Sequence, residues 1–289
     1  MKIGIGLPAA IPQVSGSLIL DWAREADTGP FSSLGLIDRI VYQNYEALIT
    51  LAAVAAVTRR ARLVTTVLLA PVRSAGLLAK QSASLDALSA GRLTLGLGVG
   101  AREDDFTATD SSFHTRGKDF DRQLAFFERV WSGQAVSAEV GRIGPAPVQP
   151  GGPEILIGGY SPTAIKRLSS RGNGFMAGGG DPKLADQFFR LTENVWQEHN
   201  RPGKPRLVGC AYFGLGEHAA ERAATTILEY YSSFAPERAQ HIASTLPSSP
   251  EQVRATIQAY ADTGADELIL WPAIPTLDQV ARLADIVGS

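Results

Sequence analysis

The sequence has one cysteine, no surplus of charge and no long apolar run, and each shortage excludes a class of protein. Cys210 is alone among 289 residues, so an internal disulfide framework and a cysteine-based metal cluster are excluded. We therefore expect a reducing compartment, the cytosol. A net charge of -2 gives no electrostatic reason to expect nucleic acid or an anionic membrane as a partner. No apolar run reaches the roughly 18 residues of a membrane span, and no two of the four histidines have metal-ligand spacing, so we predict no metal site.

Short apolar runs alternate with helical patterns along the whole chain. The runs that predict strands are Lys2–Leu7, Ser33–Ile37, Arg62–Ala70, Leu93–Gly100, Glu154–Gly158, Gly174–Ala177, Arg206–Gly214 and Glu267–Trp271. The stretches that predict helices are Ser17–Ala26, Tyr45–Arg60, Ser74–Leu88, Gly117–Trp131, Pro162–Ser170, Asp181–His199, Glu217–Phe234, Pro250–Thr263 and Leu277–Val287. This rhythm predicts one α/β domain over residues 1–289, a single (β/α)8 TIM barrel. A doubly wound open sheet is the main alternative, but no break in composition divides the chain.

Two segments between these elements lack periodicity and predict surface loops. Arg102–Thr115 is polar, and Ser132–Pro153 is rich in glycine and proline. In either fold the functional residues lie in the loops that follow the carboxyl ends of the strands. We therefore expect the site among the residues that come directly after each strand.

Two glycine-rich stretches lie at such strand ends. In the fourth strand Gly98 and Gly100 alternate with apolar residues, so one face lacks side chains and lets a ligand approach closely. After the fifth strand, Gly159–Ser161 opens a helix whose free N–H groups suit an anion such as phosphate, although an ordinary helix capped by Ser161 explains the same residues. Arg116 starts the helix after the fourth strand and is placed to pair with a phosphate there.

Five stretches of sequence, taken in order, carry a resemblance to a known family. They are LAAVAAVTRRARLVTTVLLAPVR, LLAKQSASLDALSAGRLTLGLGVGAREDDF, TRGKDFDRQLAFFERVWSGQ, PEILIGGYSPTAIKRLSSRGNGF and SSPEQVRATIQAYADTGADELIL. Together they resemble the bacterial luciferase-like flavin-dependent oxidoreductases over nearly the whole chain. The resemblance implies a luciferase-like TIM barrel with a flavin at the carboxyl ends of its strands.

The resemblance also implies roles for individual residues. The implied phosphate contacts are Arg116, Gly159, Tyr160 and Ser161. The implied contacts of the flavin ring are Thr65, Thr66, Gly98 and Gly100, and Leu7 after the first strand is a further implied cofactor contact. Some relatives place an irregular peptide behind the ring, and the resemblance puts it in the segment VTTV, at the Thr65–Thr66 peptide.

Two cofactors fit this resemblance. Some members use reduced FMN and dioxygen to insert oxygen into an organic substrate, and others use coenzyme F420 for hydride transfer. Many F420-dependent members carry Asp-His after the second strand, whereas here Arg39 follows Asp38. An arginine cannot act as a general base, but it can orient an anionic group. The predicted catalytic residues are Asp38, Arg39 and Tyr42.

Three functions are consistent with these observations. The first is an FMN-dependent monooxygenase acting on a small organic substrate, and the alternative is an F420-dependent reductase or dehydrogenase. The third is a flavin-binding protein without catalysis, which the missing histidine at residue 39 would allow. Compared with many relatives, the substrate-covering insertion is reduced to Ser232–Ser249. The family and the apolar helices Leu48–Val57 and Leu77–Leu88 predict a homodimer.

Overall fold

The predicted strands form a closed barrel in a computed structural model that describes residues 1–231 and 235–288. Neighbouring strands pair in parallel, and the pairing of the last strand with the first closes the ring. The strands are β1 (Lys2–Gly6), β2 (Ser33–Leu36), β3 (Arg62–Leu69), β4 (Leu93–Gly98), β5 (Glu154–Gly158), β6 (Gly174–Ala177), β7 (Arg206–Phe213) and β8 (Glu267–Pro272). The TIM barrel is therefore confirmed, and the open doubly wound sheet is excluded.

The helices surround this barrel. They are α1 (Gly16–Thr28), α2 (Ala47–Val57), α3 (Ala75–Leu88), α4 (Glu103–Thr107), α5 (Arg116–Trp131), α6 (Pro162–Arg167), α7 (Pro182–Glu198), α8 (Ala219–Tyr231), α9 (Pro236–Thr245), α10 (Pro250–Asp262) and α11 (Asp278–Val287). The predicted end of the helix Glu217–Phe234 lies outside the described residues, which stop at 231 before resuming at 235. Within the described part of the chain, no helix has the length and apolar character needed to cross a membrane.

Two short helices differ from the sequence prediction. The segment Arg102–Thr115 contains α4, whose acidic first turn suits the positive end of the helix dipole and whose Phe106 is buried against the residues after β3. The segment Ser232–Ser249 contains α9, which has a proline at its first position and buries Ala239 and Ile242 on one face. Both helices are too short for a clear period, and their burial depends on contacts with distant residues.

Ion pairs close the amino end of the barrel, opposite the expected site. The buried carboxylate of Glu267 accepts a hydrogen bond from Ser33 at 2.6 Å and pairs with Arg206. Arg206 also pairs with Glu154, which links β5, β7 and β8. Inside the barrel Cys210 is fully buried, and burial raises the pKa of its thiol well above the usual value. The charged groups at this end therefore serve the stability of the barrel.

Candidate active site

Trp271 closes the carboxyl end of the barrel and forms the floor of the candidate site. Its side chain lies at the end of β8 and is buried, and its indole Nε1 donates to Thr66 Oγ1 of β3 at 3.0 Å. Gly6 makes room for the indole, because a Cβ there would lie 2.7 Å from Trp271 Cδ1. The ring of Tyr212, at the end of β7, packs against it with centroids 5.0 Å apart. We call the residues directly after a strand the exit of that strand, and the site lies at these exits.

Val67 occupies the bare face of the glycine strand. A Cβ on Gly98 would lie 2.8 Å from Val67 Cγ2, and a Cβ on Gly158 of β5 would lie 2.6 Å from Val67 Cγ1. Val67 is partly exposed, so its methyl groups cover β4 and β5. Gly100 has a φ of +76°, and a Cβ there would lie 3.1 Å from the ring of Phe106. The space beside these glycines is therefore occupied by protein side chains, Val67 at Gly98 and Phe106 at Gly100.

The two threonines of the VTTV segment are tied to the barrel. Thr65 is fully buried and donates from its hydroxyl to the Gly96 carbonyl at 2.8 Å, whereas Thr66 accepts from Trp271. A cis peptide bond joins Thr66 to Val67, inside the segment but one peptide beyond the Thr65–Thr66 position that the resemblance implied. The structure therefore brings Thr66 to the floor of the site and Thr65 into the barrel wall.

Asp38 joins the exits of β2 and β3. Its carboxylate accepts hydrogen bonds from both terminal nitrogens of Arg73, at 2.7 and 2.9 Å, and from the backbone N–H of Leu69 at 2.9 Å. Burial raises the pKa of Asp38, and the Arg73 guanidinium opposes that rise. The sequence places Arg73 at the exit of β3, but spacing alone does not reveal this pair. The geometry makes Asp38 a positioning residue whose oxygens are already bound.

Arg39 holds the end of α8 over the mouth of the barrel. Its Nη1 donates to the carbonyl of Tyr230 at 3.0 Å, and its Nη2 donates to the carbonyl of Val41 at 3.3 Å. The guanidinium also lies over the rings of Tyr42 and Tyr230, 4.2 and 4.8 Å from their centroids. A cation at the last carbonyls of a helix is favoured by the helix dipole. Arg39 therefore positions α8, through a contact between residues 191 positions apart.

The Tyr42 hydroxyl is a buried polar group at the same exit. Among the described residues it has no hydrogen-bond partner. Burial raises the pKa of Tyr42, so the hydroxyl stays protonated and keeps its donor. The loop that carries it is fixed by Asp105, whose buried carboxylate accepts from the N–H groups of Ile40 and Val41 at 3.0 and 2.8 Å. Within the described part of the chain this donor is therefore left unused by the protein.

A small pocket lies between Trp271 and the roof formed by α8. The described residues that line it are apolar or carry a hydroxyl, and none is charged: Leu7, Ala10, Ile11, Ile37, Tyr212, Thr226, Ile227, Tyr230, Trp271 and Pro272. It encloses about 20 Å³, which is room for a water molecule but not for an organic substrate. Burial raises the pKa of Tyr212 well above its usual value, so its hydroxyl is neutral. In this arrangement the pocket is therefore too small for an organic substrate.

Arg116 lies against the exit of β4. Its Nε donates to the carbonyl of Gly100 at 3.3 Å, and its Nη1 donates to the carbonyl of Phe113 at 2.6 Å. The guanidinium stacks on the Phe113 ring, 3.7 Å from the centroid. These contacts hold the positive charge of Arg116 at the exit of β4, and β4 is the neighbour of β5 in the barrel.

The turn after β5 is built as a capped helix start. Ser161 Oγ accepts from the N–H of Ala164 at 3.1 Å, and Gly159 has a φ of +120°. The hydroxyl of Tyr160 donates to the carbonyl of Gly178 at 2.5 Å, which ties the exit of β5 to the exit of β6. Burial raises the pKa of Tyr160. Within this turn, Tyr160 therefore connects the exit of β5 to the exit of β6.

Comparison with known proteins places this barrel in a family. The family model described as luciferase-like monooxygenase matches residues 1–246. The chain belongs to the luciferase-like monooxygenase family. Two uncharacterized proteins of Mycobacterium tuberculosis are 34% and 28% identical to it over 168 and 167 residues. Each match covers 55% of this chain and 56% or 59% of the relative, so the chain spans little more than half the length of these curated relatives.

Solved structures share the fold of this luciferase-like chain over almost its full length. The monooxygenase RslO1 from Streptomyces bottropensis has a TM-score of 0.79 at 22% identity, with 100% of this chain and 98% of that chain covered. An F420-dependent secondary alcohol dehydrogenase has a TM-score of 0.78 at 15% identity, with 99% and 98% covered. A coenzyme F420-dependent tetrahydromethanopterin reductase from Methanopyrus kandleri has a TM-score of 0.75 at 15% identity, with 100% and 98% covered. At these identities the likeness shows the fold alone.

Proposed function

We propose that this luciferase-like protein is a flavin-dependent monooxygenase that uses reduced FMN and dioxygen on a small organic substrate. The observation that carries the proposal is the pocket beneath α8, whose described lining is apolar or carries only hydroxyl groups. Asp38, at the neighbouring exit, is bound by Arg73 and is not a free acid or base. A pocket of this kind suits a reaction in which the cofactor performs the chemistry and the protein excludes water.

The exits offer a surface for each part of FMN. Val67 is partly exposed above β4 and β5 and would support the ring, together with Leu7 at the exit of β1. The unpaired hydroxyl of Tyr42 would donate to a polar atom of the bound ligand. Arg116 and the turn Gly159–Ser161 would hold the phosphate. When bound, reduced FMN supplies the electrons and activates dioxygen for insertion of one oxygen atom into the substrate.

The protein's own part is to shape and close the pocket. Ile227 and Tyr230 of α8 line the pocket together with Trp271 and would limit the entry of bulk water. Arg39 holds the last turn of α8 in that position. Because the enclosed space is only about 20 Å³, the pocket would have to be wider than in this structure when an organic substrate occupies it.

The second candidate is an F420-dependent reductase or dehydrogenase. Two of the solved structures that share this fold carry F420-dependent activities in their names. Against this candidate, the exit of β2 has Arg39 where many such members carry histidine, and Arg39 is engaged with the carbonyl of Tyr230. A flavin-binding protein without catalysis is the third candidate, because Arg39 in place of histidine removes an acid–base group from the exit of β2.

A homodimer is also proposed. Ile49 of α2 and Leu77 of α3 are 71% and 56% exposed, and these two helices pack against each other. Large aliphatic side chains at this exposure form a surface that a second copy would cover.

An oxygen-incorporation assay tests the proposed reaction. The protein is supplied with reduced FMN and ¹⁸O₂ and incubated with a panel of small aldehydes, ketones and aromatic compounds, and the products are analysed by mass spectrometry. We expect one ¹⁸O atom in a product that depends on both the protein and FMN. FMN binding without any labelled product or oxygen uptake would favour the binding-only function. Hydride exchange with F420 and no label would favour the second candidate.

A further inference from the structure

A guanidinium from α9 lies against the glycine turn that follows β6. A Cβ on Gly179 would collide with Arg238 Nη2 and would lie 3.4 Å from Arg238 Cζ. Gly179 also has a φ of +97°, which favours glycine at this position. The absence of a side chain at residue 179 therefore allows Arg238 to reach the backbone at the exit of β6.

This guanidinium stands close to the exit of β5. Gly178, the first residue of the same turn, accepts the hydrogen bond from the hydroxyl of Tyr160. Burial raises the pKa values of Tyr160 and Tyr212, and the positive charge of Arg238 opposes both rises. The charge of Arg238 therefore acts on side chains at the exits of β5 and β7, the two strands that flank β6, where Arg238 contacts Gly179.

None of the ion pairs found among the described residues includes Arg238. Asp181, which ends the glycine turn, caps α7 instead and accepts from the N–H groups of Lys183 and Leu184 at 2.9 and 3.2 Å. Because β4, β5 and β6 are neighbours in the barrel, Arg116 and Arg238 flank the turn of β5 from opposite sides. An anion at this turn would have a guanidinium on each side.

From this geometry we propose that Arg238 binds the phosphate group of the flavin cofactor, on the side of the β5 turn opposite to Arg116. The proposal rests on the proposed function and adds to the site a residue from the segment that also carries the roof helix α8. A guanidinium recognises phosphate through two parallel N–H groups, which an ammonium group cannot reproduce. Phosphate binding therefore ties α9 to the barrel, and the segment that covers the pocket responds to the cofactor.

Paired titrations with FMN and riboflavin test this role, since the two flavins differ only in the phosphate. Fluorescence quenching gives the dissociation constants for the wild-type protein, for Arg238→Gln and for Arg238→Lys. We expect Arg238→Gln to weaken FMN binding about tenfold, as the loss of a charged hydrogen bond does, and to change riboflavin binding less than twofold. Arg238→Lys keeps the positive charge but loses the two parallel N–H groups of the guanidinium, so we expect its FMN affinity to lie between those of the wild type and Arg238→Gln. Inorganic phosphate competes with FMN in the wild-type protein and less in Arg238→Gln.

Arg254→Gln is the matched control, because Arg254 is also an exposed arginine but lies with Met1 and Lys2 in a groove at the amino end of the barrel. Its dissociation constants for both flavins should equal those of the wild type, and the thermal midpoints of all variants should agree. Unchanged FMN binding in Arg238→Gln, or equal weakening of FMN and riboflavin, would overturn the role of Arg238 while leaving the proposed function intact. A wild-type protein that binds neither flavin would refute both.

Discussion

Replacing Gly98 by alanine tests what the glycine strand accommodates. The new Cβ would lie 2.8 Å from Val67 Cγ2, whereas carbon atoms in contact prefer about 3.5 to 4.0 Å. One of the two groups must therefore move by roughly 1 Å, and overpacking of this size costs about 1 to 3 kcal/mol of folding free energy. Val67 has little room to yield, because its other methyl group, Cγ1, packs against Gly158, where a Cβ would lie only 2.6 Å from it. We expect a loss of about 2 kcal/mol, measured by urea unfolding.

The partner substitution Val67→Ala separates this clash from other effects. It removes both γ carbons and alone costs about 1 kcal/mol, since Val67 is only partly buried. In the double variant the added methyl of residue 98 no longer meets a γ carbon. We therefore expect the double variant to be more stable than the sum of the single losses predicts, by about 1 to 2 kcal/mol. Gly141→Ala is the matched control, because no other group lies within 4 Å of its Cβ position.

Additive losses in this cycle, within about 0.5 kcal/mol, would refute the reasoning that Gly98 is a glycine because of Val67. The same proteins allow a second readout. If Val67 supports the flavin ring, Val67→Ala should weaken binding of FMN and riboflavin to the same extent, because the ring is common to both. A loss confined to FMN would place the phosphate, and not the ring, near Val67.

Three further predictions concern contacts around the site. Asp38→Asn removes the buried partner of Arg73 and should lower the unfolding free energy by about 3 kcal/mol, the low end for a broken buried pair, since Glu46 still pairs with Arg73 at 2.9 Å; an unchanged urea midpoint would contradict the anchoring role. Arg39→Gln should weaken the hold on Tyr230 by about 2 kcal/mol, seen as faster hydrogen exchange in α8 and not in α5. Ile49→Asp should convert the proposed dimer to a monomer in sedimentation velocity, and a wild-type protein that stays monomeric at all concentrations would contradict the dimer.

The barrel is predictable from the sequence because each of its repeats has the same local signal. A short β-branched or leucine-rich run such as RLVTTVLLA is buried on both faces, and a longer helical pattern covers it. The two helices that the sequence did not reveal, α4 and α9, have five and ten residues. They are fixed by contacts such as that of Phe106 with Leu69, between residues that are far apart in the chain.

The candidate site is predictable only as far as the strand exits. The order of elements places Asp38, Arg39 and Tyr42 together after β2, and the structure shows them there. The order of elements does not indicate the partners of these residues, because Arg73 lies after β3 and Tyr230 lies in α8. The alternation of glycines likewise indicates a close approach to β4, but not that Val67 makes it. Pairing across a barrel depends on side-chain direction and distance, which spacing along one strand does not contain.

Parallel titration with FMN and with coenzyme F420 tests the central claim most directly. Each cofactor is added in its reduced form, without oxygen, to the purified protein, and binding is followed by isothermal calorimetry. We predict a saturable site for FMN, lost in a protein that carries Arg116→Gln and Arg238→Gln together, and no comparable site for F420. Saturable binding of F420 alone would contradict the monooxygenase proposal in favour of hydride transfer, and binding of neither would contradict a flavin site at the strand exits.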